Sequence, residues 1–185
     1  MKKIKPLLMF LCITLINVNI LANDNTIKFV TGFKAGEGIG SPILDLEYER
    51  NLIPFTSAYI RYGSTPSFKI PKTTATDVSA KFSNFAIGAR YNLLFFYIGS
   101  GYSSISLNLD EKKFNSSASG TIKGPTIEIG KKFSLGPISI NTALGAQFAT
   151  VDINFKNNTP FNVGSLKTEG NTTLISAEVS AGYSF

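Results

Sequence analysis

The chain is 185 residues long, a length that suits one domain, and carries 18 Lys and Arg against 12 Asp and Glu with no histidine and one cysteine. The missing imidazole excludes the hydroxyl-nucleophile and general-base chemistries that depend on one. The lone Cys12 excludes disulfides and cysteine metal sites, and the modest positive excess gives no reason to expect nucleic acid.

Lys2, Lys3 and Lys5 precede an apolar run from Leu7 to Ile16 and a small-residue exit at Ile20-Leu21-Ala22. This is the layout of a secretory signal peptide, and the run is about half the roughly 20 residues that a membrane-spanning helix needs. Residues 1–22 are therefore expected to be removed, leaving 23–185 as one domain without a thiol. Loss of the three leader lysines lowers the formal excess from +6 to +3. Beyond the leader the longest apolar stretch is Leu93 to Ile98, too short for a helical span.

Eight strands are predicted, at 26–36, 42–50, 55–64, 81–92, 94–107, 122–133, 137–151 and 172–185. The first places Ile27, Phe29, Thr31, Phe33 and Ala35 on one side and Lys28, Val30, Gly32, Lys34 and Gly36 on the other. The second sets Leu44, Leu46 and Tyr48 against Asp45, Glu47 and Glu49. In the third, Ala58, Ile60 and Tyr62 face out if Tyr59 and Arg61 face in. The fourth sets Phe85, Ile87, Ala89 and Tyr91 against Asn84, Ala86, Gly88, Arg90 and Asn92. In the fifth, Phe95, Phe96, Tyr97 and Ile98 are all apolar and the phase is open. The sixth sets Ile127, Ile129 and Phe133 against Thr126, Glu128, Gly130 and Lys132. The seventh sets Ile138, Ile140, Leu144, Ala146 and Phe148 against Ser139, Asn141, Gly145 and Gln147. It changes phase after Phe148, since Val151, Ile153 and Phe155 are odd-numbered, which implies a bulge or a strand that has left the membrane. The eighth alternates from Ile175 through Ala177, Val179, Ala181 and Tyr183 to Phe185, with Ser176, Glu178, Ser180, Gly182 and Ser184 between.

Short connections around Leu52-Ile53-Pro54, Asn92-Leu93 and Ser134-Leu135-Gly136-Pro137 alternate with long polar ones at 65–80, 108–121 and 152–171; Glu37 to Ser41 is the short exception. Alternation by itself also fits a soluble sandwich. Three features favour an all-β, eight-stranded antiparallel up-and-down transmembrane β-barrel: the alternating connection lengths, a polar face crowded with Gly, Ala and Ser that suits a narrow lumen, and the terminal Phe.

The segments Asp45-Leu-Glu-Tyr-Glu-Arg-Asn-Leu52, Phe85-Ala-Ile-Gly-Ala-Arg-Tyr-Asn92, Tyr97-Ile-Gly-Ser-Gly-Tyr102 and Ala181-Gly-Tyr-Ser-Phe185 carry a resemblance. From about Thr26 to Phe185 the chain resembles the small eight-stranded outer-membrane barrels that include the OmpA transmembrane domain, OmpX and the opacity-type surface proteins. The resemblance implies a monomeric barrel in a Gram-negative outer membrane; since the sequence ends at Phe185, no peptidoglycan-binding domain of the OmpA kind is expected after it. It also implies that Tyr183 and Phe185 act as the signal read by the barrel-insertion machinery. The barrel enzymes of that membrane rely on histidine, and none of their chemistry carries over.

Within the barrel the phasing puts Lys28, Lys34, Arg61, Arg90 and Lys132 inside with Asp45, Glu47, Glu49, Glu128 and Glu178, so the interior charges nearly cancel. Such groups must be paired and hydrogen-bonded. Glu47, Arg61, Arg90, Glu128, Lys132 and Glu178 are the expected core of this ionic network, which reads as a plug, with a narrow ion or small-solute path as the alternative. Tyr48, Tyr91 and Phe133, with Tyr183, fall near the short turns as interfacial anchors. Lys69, Lys72, Lys112, Lys113, Lys156 and Lys167 in the long connections are solvated charges or contacts for lipopolysaccharide phosphates or an acidic extracellular ligand. Asp110-Glu111 reads as a solvated loop tip, and Gly36-Glu-Gly-Ile-Gly40 as a hairpin turn instead of a phosphate cradle. No catalytic, cofactor or metal site is expected. The function read from the sequence is a non-enzymatic barrel with a structural or surface-interaction role in the envelope; a channel and an adhesin or host-factor binder are the alternatives.

Overall fold

The computed structural model describes residues 25–36, 39–65, 68–69, 78–111, 116–157 and 166–185. The leader expected at 1–22, the tip of the first connection and Lys72, Lys112 and Lys113 lie outside the described residues. The strands are β1 Asn25–Gly36, β2 Ile39–Ile53, β3 Thr56–Ser64, β4 Phe68–Lys69, β5 Val78–Leu93, β6 Phe96–Glu111, β7 Ser116–Leu135, β8 Ile138–Asn157 and β9 Leu166–Ser184. The two-residue β4 pairs only with the start of β5. The others form a closed antiparallel barrel of eight strands, sealed by pairing of β1 with β9 and of β3 with β5. No edge is left along the sealed part, which is what a sheet in hydrocarbon requires.

The stagger of the barrel is read from one circuit of paired residues. Starting at Lys132 and passing through Asn141, Ser180, Val30, Asp45, Gly63, Asn84 and Ile105, the row returns to β7 at Ile122, ten residues from its start. That shear tilts the strands and fixes which inward side chains share a level.

Two-residue turns at Pro54-Phe55, Leu94-Phe95 and Gly136-Pro137 lie at one end. Gly136 takes a positive φ of 60° there, which glycine adopts without steric cost. Asn25 and Phe185 pair at that end: the Phe185 amide donates to the Asn25 carbonyl at 2.9 Å, and the Asn25 amide to the Phe185 carbonyl at 3.3 Å.

Facing follows the sequence phases. Ile27, Phe29, Phe33, Leu44, Leu46, Tyr48, Ile60, Tyr62, Phe85, Ile87, Tyr91, Ile127, Ile129, Leu144, Val179 and Tyr183 are exposed on the outside, while Lys28, Asp45, Glu47, Arg61, Arg90 and Gln147 are buried inside. The open phase of the fifth predicted strand is settled: Phe96 and Ile98 point out, and Tyr97, Gly99 and Ser103 point in. A belt this apolar on the outside has no counterpart on a water-soluble surface and matches a hydrocarbon layer.

The connections predicted at 108–121 and 152–171 are mostly strand. β6 continues to Glu111, β7 begins at Ser116, β8 runs to Asn157 and β9 begins at Leu166. The phase change after Phe148 is no bulge, because β8 keeps one register on β9 from Ile138↔Tyr183 to Phe155↔Leu166, and one on β7 on either side of Gly124. What changes is the environment. Thr150, Thr173 and Lys123 are exposed on the outside, whereas Phe82, Ile105, Ile122, Ala149 and Leu174 form a buried cluster inside, with Leu107, Leu109 and Val151 packed on it. In the belt, water-loving groups face inward; beyond it the same strands turn apolar inward because water is now outside. A period-two strand achieves this by exchanging residue types at fixed geometry.

Candidate functional site: the ion-paired lumen

The inward face of β2 carries Asp45, Glu47 and Glu49 at successive inward positions, a column of three carboxylates in one narrow interior. β3 sets Arg61 opposite Glu47 in register, β1 sets Lys28 opposite the same residue, and β5 brings Arg90 to this level. Glu47, 1% exposed, is the hub. Its Oε1 lies 3.0 Å from Lys28 Nζ and 2.5 Å from Arg90 Nη1. Its Oε2 accepts from Arg61 Nε at 3.0 Å, Arg61 Nη2 at 2.7 Å and Arg90 Nη2 at 2.9 Å.

The two arginines carry the network to other strands. Arg61 Nη1 donates to Glu178 Oε2 at 2.7 Å, Arg90 Nη1 also reaches Glu49 Oε2 at 2.5 Å, and Arg90 Nε reaches Glu128 Oε1 at 2.5 Å. Lys28 Nζ donates to Glu49 as well. Strands β1, β2, β3, β5, β7 and β9 are thus tied across the lumen by charge-assisted bonds, the stronger class of hydrogen bond. The arginine forks suit this, since one guanidinium bridges three carboxylates where an ammonium on a flexible stem presents a point charge.

Of the residues expected in the network, Glu47, Arg61, Arg90, Glu128 and Glu178 come together. Lys132 does not join by contact: it is half-buried, and among the described residues no carboxylate lies within salt-bridge distance of it.

Two tyrosines complete the layer: Tyr59, expected inward together with Arg61, and Tyr97, on the strand whose phase was open. The Arg90 guanidinium carbon sits 4.0 Å from the ring centroid of Tyr59 and 5.0 Å from that of Tyr97. Both rings are buried, so the cation is held between aromatic faces in a desolvated place. Inward glycines make the room. A Cβ at Gly88 would come within 2.7 Å of the Tyr59 hydroxyl, and one at Gly130 would collide with the Tyr97 ring. The signal was present in the sequence as Gly99 and Gly101, which share a parity with Tyr97 and mark that side of the strand as the crowded one.

Toward the other end lies a second polar level. Lys34 Nζ donates to Ser103 Oγ at 3.3 Å and Gln147 Oε1 at 3.2 Å, Asn84 Nδ2 donates to Asp45 Oδ2 at 2.5 Å, and Ser103 Oγ donates to Asn84 Oδ1 at 3.2 Å. A cavity of about 30 Å³, bounded by Lys34, Arg61 and Glu178, separates the two levels. It has room for roughly one or two waters. Above it the apolar cluster around Leu174 closes the interior.

The aromatic positions are on the outside. Tyr48 is exposed and donates to Asn25 Oδ1 at 2.6 Å, Tyr91 packs on Phe55 with ring centroids 6.3 Å apart, and Phe133 and Tyr183 are exposed near the turns. Phe185 is exposed, held by its backbone pairing with Asn25. Of the lysines expected in loops, Lys69, Lys156 and Lys167 fall within strands β4, β8 and β9. Asp110 and Glu111 likewise end β6 instead of forming a loop tip.

Solved structures share this architecture at low identity. Outer membrane protein AlkL, determined by solid-state NMR in DMPC bilayers, superposes with a TM-score of 0.62 at 11% identity over 89% of this chain and 91% of that one. The fold is that of the small outer-membrane barrels. A major outer membrane protein from Thermus thermophilus gives 0.54 at 12% identity, covering 89% of this chain and all of the other. Ail, the attachment invasion locus protein of Yersinia pestis, gives 0.53 at 11% identity over 88% and 97%. No protein-family model and no curated protein matches the chain. The apolar belt supplies the physical reason for an outer-membrane location, since only a lipid phase accommodates it.

Proposed function

We propose that the chain is a non-enzymatic, monomeric barrel with a closed lumen, serving envelope integrity or surface interaction. The observation that carries this reading is the double closure of the interior: a layer in which every bonded carboxylate is held by Lys28, Arg61 or Arg90, and beyond it the apolar cluster of Phe82, Ile105, Ile122 and Leu174. Carboxylates saturated by cations are suited to fastening strands, and poorly suited to abstracting a proton. An interior of eight strands leaves space for its own side chains or one small ligand.

Purified protein in planar bilayers is expected to give no discrete conductance steps. Reproducible steps that Arg90→Ala abolishes would establish the narrow-channel reading in its place.

The remaining assignments accompany this function. Residues 1–22 direct export and are cleaved, so mass spectrometry of the envelope protein is expected to find Asn23 at its amino terminus. Tyr183 and Phe185 serve recognition by the insertion machinery, and Tyr48, Tyr91 and Phe133 anchor the lower interface. Outward-facing Lys81 and Lys123, exposed at the long-connection end, suit contact with lipopolysaccharide phosphates. A surface-ligand role is favoured by the strand extensions of β6 to β9, which carry a rigid polar surface past the belt.

A further inference from the structure

The outward face is uneven on one side. Thr31, Val179, Thr142, Lys131 and Phe96 are register neighbours across β1, β9, β8, β7 and β6. Three of these five are short or β-branched side chains. The row above them runs through Phe33, Ala177, Leu144, Ile129 and Ile98, and the row below through Phe29, Ala181, Ile140 and Phe133. Short side chains between bulkier rows leave a trough of about 680 Å³, bordered by Leu144 and Ile129 and almost wholly apolar.

Two charged residues line the trough, but the Glu178 carboxylate points into the lumen onto Arg61, so Lys131 alone brings a charge to it. Lys131 lines the trough, is exposed and faces lipid, four residues from the end of β7. Its Nζ lies 5.8 Å from the Phe133 ring centroid, toward the turn end. Between Lys123 and Lys131 the outward positions of β7 are Pro125, Ile127 and Ile129, so the two lysines bracket the hydrocarbon. Eight residues at about 3.3 Å each, tilted by about 40°, span about 20 Å of depth. Lys131 therefore sits at the level of headgroups on the turn side, where its ammonium lacks a protein carboxylate among the described residues.

We propose that this trough is a binding site for one anionic phospholipid of the inner leaflet, with an acyl chain lying along the row from Phe96 to Thr31 and the headgroup phosphate on Lys131. The proposal rests on the membrane-barrel reading and on short turns facing the periplasm. It combines a charge complement with a chain-shaped apolar recess, which neither a snorkelling lysine nor a bare hydrophobic face provides.

The chain contains no tryptophan, so a single one reports on its surroundings. Phe96→Trp places it in the trough, and Ile60→Trp on β3 places it on the opposite side. Each variant is reconstituted in phosphatidylcholine vesicles containing equal mole fractions of either brominated phosphatidylglycerol or brominated phosphatidylcholine. The trough reporter is expected to prefer the anionic quencher about fivefold, corresponding to the ~1 kcal/mol of one lysine at an anionic surface, and the β3 reporter to show no preference. Lys131→Gln is expected to abolish the preference, and Thr142→Phe, which fills the recess and keeps the charge, to reduce it. Equal quenching of the trough reporter by both lipids overturns the site. A preference that survives Thr142→Phe undiminished also overturns it, reducing the effect to a surface charge. If neither quencher reaches either tryptophan, the chain is not in the bilayer and the membrane reading itself falls.

Discussion

Arg90 illustrates what a buried charge does here. It is 3% exposed, touches Glu47, Glu49 and Glu128, and lies against Tyr59 and Tyr97. Removing it leaves Glu128 without a cation in contact among the described residues and takes one cation from Glu47 and Glu49, which keep Lys28 and, for Glu47, Arg61. Arg90→Ala is expected to lower unfolding stability by about 3–5 kcal/mol, the usual consequence of breaking one side of a buried ion network. Urea titration of the folded barrel in detergent measures this, and a loss below about 1 kcal/mol would mean that water reaches the site. Arg90→Lys is expected to fall between the two, since an ammonium replaces one contact and loses the fork and much of the stacking. At this scale the sequence told which charges face inward, through parity alone. It could not tell that Lys132 stands apart from the carboxylates while Lys28 reaches Glu47, because parity carries no information about height along the barrel.

Among elements, β7 and β8 show how one strand serves two solvents. Ile129 is exposed to hydrocarbon and Thr150 to water, and both point outward from neighbouring strands. Ile127→Lys, midway between Lys123 and Lys131 on the outward face of β7, is expected to cost about 2–4 kcal/mol. Thr150→Lys on the same surface is expected to change stability by less than about 0.5 kcal/mol, as ordinary surface substitutions do. Paired denaturant titrations in one detergent distinguish the two, and equal costs would remove the boundary drawn between belt and extension. The Ser- and Asn-rich stretches at 108–121 and 152–171 read as loops because strand recognition relied on an apolar outer face. Beyond the membrane that face is polar, and the apolar signal moves to Leu107, Leu109, Ile122 and Val151 on the inside. The resulting patterns are strand-like, with the opposite phase.

For the whole molecule, closure and belt together imply dependence on an amphiphile. The purified chain is expected to need detergent to stay dispersed. It is also expected to migrate differently on a mild gel before and after boiling, because the folded barrel binds less detergent and stays compact. A chain that stays dissolved without detergent and runs identically heated or unheated is a soluble β-protein, and the lipid-facing argument fails with it.

The two-residue repeat, written in residues such as Phe29, Leu46, Ile87, Ile129 and Val179, determined which surface meets hydrocarbon, and the spacing of turns determined the number of barrel strands. These are local properties, because successive side chains of a strand must point to opposite faces. The tertiary structure alone decided the rest: that Glu47 gathers Lys28, Arg61 and Arg90, that Tyr59 and Tyr97 flank the last of these, and that Leu174 closes the interior above them. Meeting across a lumen depends on the ten-residue stagger of the closed sheet, and that stagger belongs to the ring of strands as a whole.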